Sequence, residues 1–428
     1  MSFSQRLQEI RDGFERPFWV ANISEIFERL SYYGAFASLA LYLQERLAFS
    51  TEQTGALTGL FGGMVWFLAI FGGAVADKLG FRRALSLAYF ILTAAYFLIG
   101  SIGSSWLAPV RNAVPLTLFV ACILLLPALG ISLVKPCVVG TTARASKPNV
   151  RSVGYSLYYT MVNIGSFAGP YIAGWAHARF GVDRVFRISA LSVFAMFFVV
   201  LLFFREPCRS DDTPPPAISE VIRNFATVLW PPKFFIFLLI FTGYWIVFWQ
   251  QYIILPGYIH RQIDPHASAE KILATDPAVV ICLTVAINVV TRKIAAFRAV
   301  ILGTVVTALG WLIVGLWPTV WGAILTLVFV ALGEIIQSPR YYEYISRLAP
   351  PDQQGTYMGF AFLPIGIGSL IGGWFGGSLV HQFAEIQGRP ERVWWTITGV
   401  GLLTTLLLWI YGRVVKPSAK EGASPAQS

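Results

Sequence analysis

Charged residues are scarce in this chain. Of its 428 residues, 13% are Asp, Glu, Lys or Arg, whereas a soluble domain carries about 25%. Hydrophobic residues make up 56% of the sequence, and the mean hydropathy is +0.64. So few charges cannot cover a water-facing surface of this size, which excludes a soluble enzyme.

Cysteine and histidine are also rare, with four residues of each. The cysteines lack the spacing of a metal site or a disulfide framework, so we interpret them as small apolar side chains. The four histidines are isolated in the sequence, and we expect them to be solvated on the periplasmic side: His177, His260, His266 and His381.

Sequence motifs for nucleotide binding and catalysis are missing as well. No glycine-rich loop followed by lysine is present to cradle phosphates, which excludes ATP as the energy source. No nucleophile is paired with a base, so we expect no enzymatic activity. We expect neither a metal nor a cofactor. The excess of 32 basic over 22 acidic residues serves membrane topology, and no nucleic-acid partner is expected.

Long apolar segments make up most of the chain. A bilayer core about 30 Å thick requires about 20 helical residues. Twelve segments reach this length, and we number them 1 to 12: 18–46, 54–77, 84–103, 114–143, 152–177, 186–204, 233–258, 276–293, 298–316, 320–347, 355–381 and 393–412. The sequence therefore predicts an all-α membrane protein with twelve transmembrane helices. The first segment is too long for a signal peptide, so we expect it to be retained.

One polar stretch divides the segments into two groups of six. It carries Arg205, Glu206 and the prolines at 214–216. We predict an N-terminal bundle over 1–204, a cytoplasmic linker over 205–232 and a C-terminal bundle over 233–428. Of the 32 Lys and Arg residues, 21 fall on the linker side. The positive-inside rule then places both termini in the cytoplasm, in a multi-pass inner-membrane protein.

The two groups also repeat in sequence at a constant offset of 203 residues. Pro136 recurs as Pro339 and Gly169 as Gly372, and further pairs are Arg144 with Arg347, Gly165 with Gly368 and Gly174 with Gly377. Two parallel six-helix repeats around a central site describe a transporter of the major facilitator superfamily. We therefore expect the major facilitator fold, with the substrate between the two bundles.

The link between segments 2 and 3 carries a second signature. It resembles the superfamily's loop motif GxxxDKxGxRR, whose positions are Gly73, Asp77, Lys78, Gly80, Arg82 and Arg83. This gating motif predicts that Asp77 pairs with loop cations and holds the two halves in one closed state. The alternative is a turn that carries inside-positive charge.

We place five charged residues within the membrane-spanning parts of the segments, whose ends are approximate, and each needs a partner because an unpaired charge in a membrane is costly. They are Glu25, Glu28, Arg29, Lys135 and Glu334. Glu25 and Arg29 have the favourable spacing for an ion pair on one helix face. We expect Lys135 to pair with Glu25 or Glu28; the alternative is snorkelling to the interface. Three acids against two cations leave one carboxylate for proton coupling.

Several of these positions resemble the proton-dependent oligopeptide transporter family of the major facilitator superfamily. Segment 1 has Glu25, Glu28, Arg29, Tyr32 and Tyr33 in the spacing ExxERxxYYG. Segment 5 is similar to FYxxINxGS, segment 4 carries Lys135-Pro136, and segment 10 carries Glu334 with Ser338-Pro339.

The resemblance implies uptake of di- or tripeptides with protons. Glu334 would receive the peptide amino group, and Arg29 and Lys135 would face its carboxylate. Glu25 and Glu28 would exchange protons and partners with those cations. The full set of expected substrate contacts is Arg29, Tyr32, Tyr33, Trp66, Lys135, Asn163, Trp249, Gln250, Asp276, Glu334 and Ser338. The expected partners are a small zwitterionic substrate, protons and the lipid bilayer, with the protein as a monomer.

Three positions depart from the family pattern. Trp249 stands where the family has an acid before a glutamine pair, so coupling is expected to be altered or lost. Asp276 replaces the usual asparagine; it either supplies the missing charge or caps a helix start. Trp66 replaces a substrate-facing tyrosine and would narrow the cavity. Two alternatives to peptide symport therefore stay open: a major facilitator for another zwitterion or anion without proton coupling, and a non-cycling peptide receptor.

Overall fold

The computed structural model describes residues 12–207, 232–350 and 354–415. Helices and short turns form nearly all of this part, with one isolated β-bridge between Phe14 and Ser146. Twelve long helices follow the order of the predicted segments. They are α1 (Arg16–Leu41), α2 (Thr51–Leu79), α3 (Phe81–Ile99), α4 (Leu116–Arg144), α5 (Arg151–Phe180), α6 (Val182–Phe203), α7 (Pro232–Phe248), α8 (Thr275–Thr291), α9 (Ala296–Leu316), α10 (Val320–Leu348), α11 (Leu363–Leu379) and α12 (Glu391–Val414).

Three of these helices are interrupted near one end. α7 continues as the short helices Gln250–Ile253 and Leu255–Tyr258, α8 is preceded by Ala269–Leu273, and α11 is preceded by Gln354–Phe360. Pro256 and Pro364 lie just after two of the breaks. A proline has no backbone N–H to donate, so the regular hydrogen-bond ladder is broken there.

Ten helices in the described part are long and apolar enough to cross a bilayer. The other two long helices, α1 and α5, carry the polar side chains that sequence analysis assigned to the site. The predicted twelve-helix architecture is therefore confirmed, and the chain is a multi-pass membrane protein. The predicted linker falls mostly on 208–231, outside the described residues, so the domain boundaries remain a prediction.

Two glycines allow consecutive helices to follow each other without a loop. Gly80 joins α2 to α3 with φ of 81°, and Gly181 joins α5 to α6 with φ of 91°. An L-residue with a side chain rarely adopts this backbone conformation, whereas glycine does so without strain. The chain can therefore reverse direction within one residue at each point.

Helices α1–α6 form one bundle and α7–α12 the other. We call the side of the molecule where α1 begins and α12 ends the terminal side, and the opposite side the far side. The main contact between the bundles runs along α2 and α11, and a second one joins α5 to α8 and the short helix before it.

The α2–α11 contact is made of small residues. A Cβ on Gly59 would lie 2.5 Å from the Ser369 carbonyl oxygen and 2.7 Å from the Gly373 Cα. The Ser369 hydroxyl donates to the Gly59 carbonyl at 3.1 Å. Small residues let two membrane helices approach until their backbones touch, which gives close packing without a hydrophobic driving force.

Candidate functional site

Three charged residues of α1, Glu25, Glu28 and Arg29, form one buried cluster. Positions 25, 28 and 29 share a helix face because three or four residues make about one turn. Arg29 Nε lies 3.4 Å from Glu25 Oε1 and in direct contact with Glu28 Oε2. The three side chains are almost completely buried, at 1%, 0% and 5% exposure. The predicted Glu25–Arg29 pair is present, with Glu28 as a second acid on the same guanidinium.

Arg29 and Tyr32 are packed away from the central cavity, contrary to the expectation that they contact substrate. The Arg29 guanidinium lies over the Tyr32 ring, 5.2 Å from its centroid, and Tyr32 stacks on Phe61 in the core. Gly165 of α5 presses on the same region, since a Cβ there would lie 2.7 Å from the Arg29 Cβ. In this conformation α5 encloses the cluster.

Lys135 has a different partner from the one predicted. No ion pair to Lys135 is formed within the described residues. Its ammonium instead lies over two aromatic rings, 4.0 Å from the Trp66 centroid and 5.1 Å from the Phe362 centroid. The electron-rich ring faces replace a carboxylate as the counter-charge. The expected pairing with Glu25 or Glu28 is therefore wrong for this conformation.

A cavity of about 240 Å³ lies between the two bundles. Helices of both bundles contribute side chains to it, which is how a site between two repeats is built. The lining residues are Tyr33, Trp66, Tyr159, Asn163, Ser166, Trp245, Phe248, Trp249, Tyr252, Asp276, Pro277, Val280, Glu334, Ser338, Tyr342 and Ile365. Seven of the eleven predicted substrate contacts are among them; the four outside the lining are Arg29, Tyr32, Lys135 and Gln250.

Two carboxylates, Asp276 and Glu334, face this cavity, and the lining includes no basic side chain in the described part of the chain. Asp276 is 4% exposed, and its Oδ1 has no hydrogen-bond partner among the described residues. It is the second residue of α8, where Ala274 is the N-cap and no side chain caps the helix. The helix-cap alternative for Asp276 is therefore not realised.

A second chamber of about 310 Å³ adjoins the first, and the two share Tyr159, Val280, Glu334, Ser338 and Tyr342. Its further lining includes Thr284, Asn288 and Pro339. These residues follow Asp276 along α8 and Glu334 along α10, toward the terminal side. The cavity therefore extends from the middle of the molecule toward that side.

The stretch at the end of α7 in which Trp249 replaces the acid of the peptide transporter family is joined to α11 by hydrogen bonds. Trp249 Nε1 donates to the Ile365 carbonyl at 3.1 Å. Gln250 Nε2 donates to the Ile246 carbonyl at 2.6 Å and to the Gly372 carbonyl at 3.1 Å. Gln250 is fully buried and lies outside the cavity lining, so it holds α7 against α11. This differs from the expectation that Gln250 contacts substrate. Trp249 also holds α7 against α11, and in addition its ring lines the cavity.

Several residues of the cavity lining were not predicted from the sequence, although their helical spacing relative to predicted residues indicates some of them. Tyr159, Asn163 and Ser166 are spaced by four and three residues and share one face of α5. Tyr342 follows Ser338 by four residues on α10 in the same way. Trp245 and Tyr252 have a different signal, because their segment also carries Gln250 and Gln251. Phe248 has none, because an aromatic residue in a membrane helix more often faces lipid or core.

The loop motif between α2 and α3 makes its contacts within one bundle. Asp77 pairs with Arg144 of α4 at 3.3 Å. The Glu206 carboxylate accepts from the backbone N–H groups of Phe81 and Arg82, at 2.7 and 2.8 Å. The expectation that Asp77 pairs with loop cations and holds the two halves together is therefore corrected: its partner is a helix residue of its own half.

Two histidines predicted to be isolated lie in an ion cluster that joins the halves at the far side. His177 of α5 contacts Glu270 at 2.6 Å and Glu45 at 3.6 Å, and His260 contacts Glu45 at 3.0 Å. Ser38 of α1 donates to Glu270 at 3.3 Å. This cluster was missed because its members come from four separate parts of the chain.

Glu45 lies beyond the membrane span. The 26 residues of α1 cover about 39 Å at 1.5 Å each, which exceeds the hydrocarbon core, and the π-helical turn Tyr42–Arg46 follows. Hydrogen bonds from His177 and His260 lower the pKa of Glu45 to about 2. A carboxylate held in this way keeps its charge through the physiological pH range.

Two six-helix bundles around a central cavity, with ionisable groups at mid-depth, form the architecture of a membrane transporter. The sequence model of the Major Facilitator Superfamily matches residues 22–363 and 272–428. The chain therefore belongs to this superfamily, whose members are transporters and not enzymes.

Curated relatives cover nearly the whole chain at low identity. Multidrug resistance protein MdtH of Aeromonas salmonicida is 23% identical over 391 residues, which is 91% of this chain and 94% of the relative. MdtH of Edwardsiella ictaluri is 24% identical over 390 residues, which is 90% of this chain and 92% of the relative.

Solved structures with the same fold include peptide transporters. A POT family transporter in complex with a thioalcohol-conjugated peptide has a TM-score of 0.77 at 17% identity, covering 94% of this chain and 97% of that one. The nucleoside transporter NupG also reaches 0.77, at 13% identity, covering 92% and 99%. At such low sequence identities the structural similarity establishes the fold alone and does not identify the substrate.

Proposed function

We propose that this chain carries small solutes with a free amino group, short peptides among them, across the cytoplasmic membrane by alternating access with protons. The observation that carries the proposal is the central cavity between the bundles, with Asp276 and Glu334 facing it from the C-terminal side. A substrate ammonium there would form charge-assisted hydrogen bonds away from bulk water, where they are strongest.

The opposite wall offers hydrogen-bonding groups to the rest of a peptide. Tyr33, Asn163 and Ser166 line the cavity from α1 and α5. Asn163 Nδ2 donates to the Tyr159 carbonyl at 2.8 Å, which leaves its amide oxygen to accept from a peptide N–H. Both walls together provide donors, acceptors and an anionic pole.

Proton coupling is assigned to the α1 cluster and to Glu334. Glu25 and Glu28 share one guanidinium, and Glu25 Oε2, Glu28 Oε1 and Arg29 Nη2 have no hydrogen-bond partner among the described residues. Two acids on one cation have one negative charge too many for a membrane interior, so a proton is the natural balance. Its arrival or departure would change how tightly Arg29 is held.

The conformation supports alternating access with the far side closed. The α2–α11 contact and the His177–Glu270 pair join the halves there, while the cavity extends toward the terminal side. With the termini in the cytoplasm, as the Lys and Arg distribution predicts, this is the state that releases imported substrate.

The experiment is uptake into proteoliposomes that contain the full chain. Labelled di-alanine is offered with an inward proton gradient, and uptake is compared with and without a protonophore. We expect accumulation that the protonophore abolishes. Liposomes without protein and the Arg29→Met variant serve as controls. Uptake that ignores the gradient would remove proton symport, and binding without any uptake would favour a receptor.

Transport of another small solute without proton coupling is the second candidate. It is favoured by Trp249, which replaces the family acid and uses its ring nitrogen to hold Ile365 of α11. Counter-flow of substrate without a proton gradient would support this candidate. The name of the curated MdtH relatives adds drug-like solutes to the set of substrates that should be tested.

A further inference from the structure

We infer that the cavity selects monocationic amines over zwitterions, because Trp66 and Phe362 withdraw Lys135 from it. The inference rests on the proposed function and names its substrate class: a positively charged amine with an apolar or aromatic body and no free carboxylate. Peptide amides and aromatic amines belong to this class; free peptides are zwitterions at neutral pH and are the weaker ligands of the same site.

The two possible cationic poles are both occupied by the protein. Arg29 is held by Glu25 and Glu28 and is 5% exposed. The Lys135 ammonium lies 4.0 Å from the Trp66 ring centroid. Trp66 lines the cavity and Lys135 is not among its lining residues, so the indole, and not the ammonium, faces the cavity. A substrate carboxylate would find no cationic partner in the lining.

Phe362 completes the enclosure from the other bundle. Its ring is 5.1 Å from the Lys135 ammonium and 5.6 Å from the Trp66 ring. The Trp66–Lys135–Phe362 group, which we call the lysine cage, therefore joins α2, α4 and the start of α11 across the two halves. Opening the cage costs two cation–π contacts, so a weak anionic ligand cannot draw the lysine out without losing affinity.

Two carboxylates form the anionic pole of the cavity. Asp276 is 4% exposed, its Oδ1 has no hydrogen-bond partner among the described residues, and Glu334 lines the same cavity. A buried carboxylate oxygen without a partner is a costly arrangement that a cationic ligand relieves. The surrounding rings of Trp245, Trp249 and Tyr252 provide faces that attract a cation and pack against an apolar body.

The test compares three probes of nearly equal size on the purified full-length protein at pH 7. Alanyl-alanine amide is a cation, di-alanine is a zwitterion, and N-acetyl-di-alanine is an anion. Binding is measured by calorimetry and by competition for uptake. We expect the amide to bind at least about tenfold more tightly than di-alanine. The di-alanine carboxylate gives up charge-assisted hydrogen bonds to water and finds no cation in the lining to replace them. The anion should bind most weakly.

Trp66→Ala tests the mechanism. Uncaging Lys135 should narrow the preference for the amide by about tenfold, chiefly by improving di-alanine binding. The double variant Trp66→Ala with Lys135→Met should lose that gain. Trp374→Ala, which removes an exposed tryptophan of α11, is the matched control and should leave the ratio unchanged. Phe362→Leu opens the cage from the other side and should act in the same direction.

The outcomes separate the inference from the proposed function. If wild-type protein prefers di-alanine, or if both cage variants leave the ratio unchanged, the inference is overturned while amine transport stands. If no amine-bearing probe binds or moves, the proposed function fails. Monodisperse elution of each variant in size-exclusion chromatography shows that a changed ratio does not arise from misfolding.

Discussion

Glu334 is the residue on which the proposed recognition of a substrate amino group depends. It faces both chambers of the cavity, and no basic residue contacts it within the described residues. A carboxylate there can accept from a substrate ammonium, whereas the amide of glutamine keeps the shape and loses the charge.

We expect Glu334→Gln to weaken binding of di-alanine about 10- to 100-fold, since hydrogen bonds to charged groups contribute about 1.5–3 kcal/mol. Binding of N-acetyl-di-alanine should change little. Calorimetry on the purified protein measures both. Glu52→Gln, at an exposed position near the start of α2, is the control. Equal losses for the two probes would contradict the assigned pole.

Trp249 explains a departure from the family pattern in physical terms. Its ring nitrogen donates to the Ile365 carbonyl and its ring lines the cavity. This position therefore has a fixed contact between α7 and α11 where the peptide transporter family has an ionisable group.

We predict that Trp249→Glu makes uptake more strongly dependent on the proton gradient, because it restores an acid at the edge of the cavity. Trp249→Phe loses the same hydrogen bond without adding an acid, so it controls for the broken contact. Uptake is measured in proteoliposomes over a series of external pH values. An identical pH profile for both variants would show that this position does not limit coupling.

At the scale of the element, the α2–α11 contact is the tightest joint between the halves. Gly55, Gly59 and Gly63 place α2 so close to α11 that added Cβ atoms would meet backbone or side-chain atoms within 3 Å. Separation of these helices at the far side is needed for the cavity to open there, so their packing strength sets the cost of that step.

We expect Gly59→Val to destabilise the far-side closed conformation by ~2 kcal/mol, the usual scale of overpacking. The shift is measured by the cross-linking yield of a cysteine pair placed across the far ends of α2 and α11. Gly399→Val is the matched control, because nothing lies within 4 Å of its added Cβ. An unchanged cross-linking yield for Gly59→Val would mean that the α2–α11 contact does not stabilise the conformation that is closed at the far side.

At the scale of the whole molecule, the far-side cluster of Glu45, His177, His260 and Glu270 links the two halves beyond the core. Both ring nitrogens of His177 face carboxylates, an arrangement that a doubly protonated ring satisfies in full. Glu270 is 1% exposed, so removing its charge leaves His177 without its nearest partner.

We predict that Glu270→Gln and Glu45→Gln each lower the population closed at the far side at pH 7. The pKa of Glu45 is lowered to about 2, so its contribution is complete above the ordinary value of 4.5 and is lost as pH falls toward 2. The difference between Glu45→Gln and wild type, measured by cross-linking, should therefore shrink below about pH 4.5. Glu391→Gln on α12 is the control. A constant difference down to pH 3 would contradict this assignment.

Much of the architecture could be predicted from residue order alone. Twelve apolar segments become helices because the bilayer leaves backbone groups no partners except each other. The repeat at offset 203 identified the glycines of α11, and ExxER spacing placed Glu25 and Arg29 on one helix face. These features depend on neighbours within a turn or two, which the sequence records directly.

The sequence by itself determined the fold, the superfamily and the α1 ion pair. The tertiary structure alone decided where the two cations lie: Lys135 lies against Trp66 and Phe362, and Arg29 is enclosed by α5. It also decided that four distant residues meet at the far side. The physical reason is that a charge inside a membrane accepts whichever partner the packing of separate helices brings within reach, a carboxylate or a ring face. The spacing of residues along one helix carries no information about that choice.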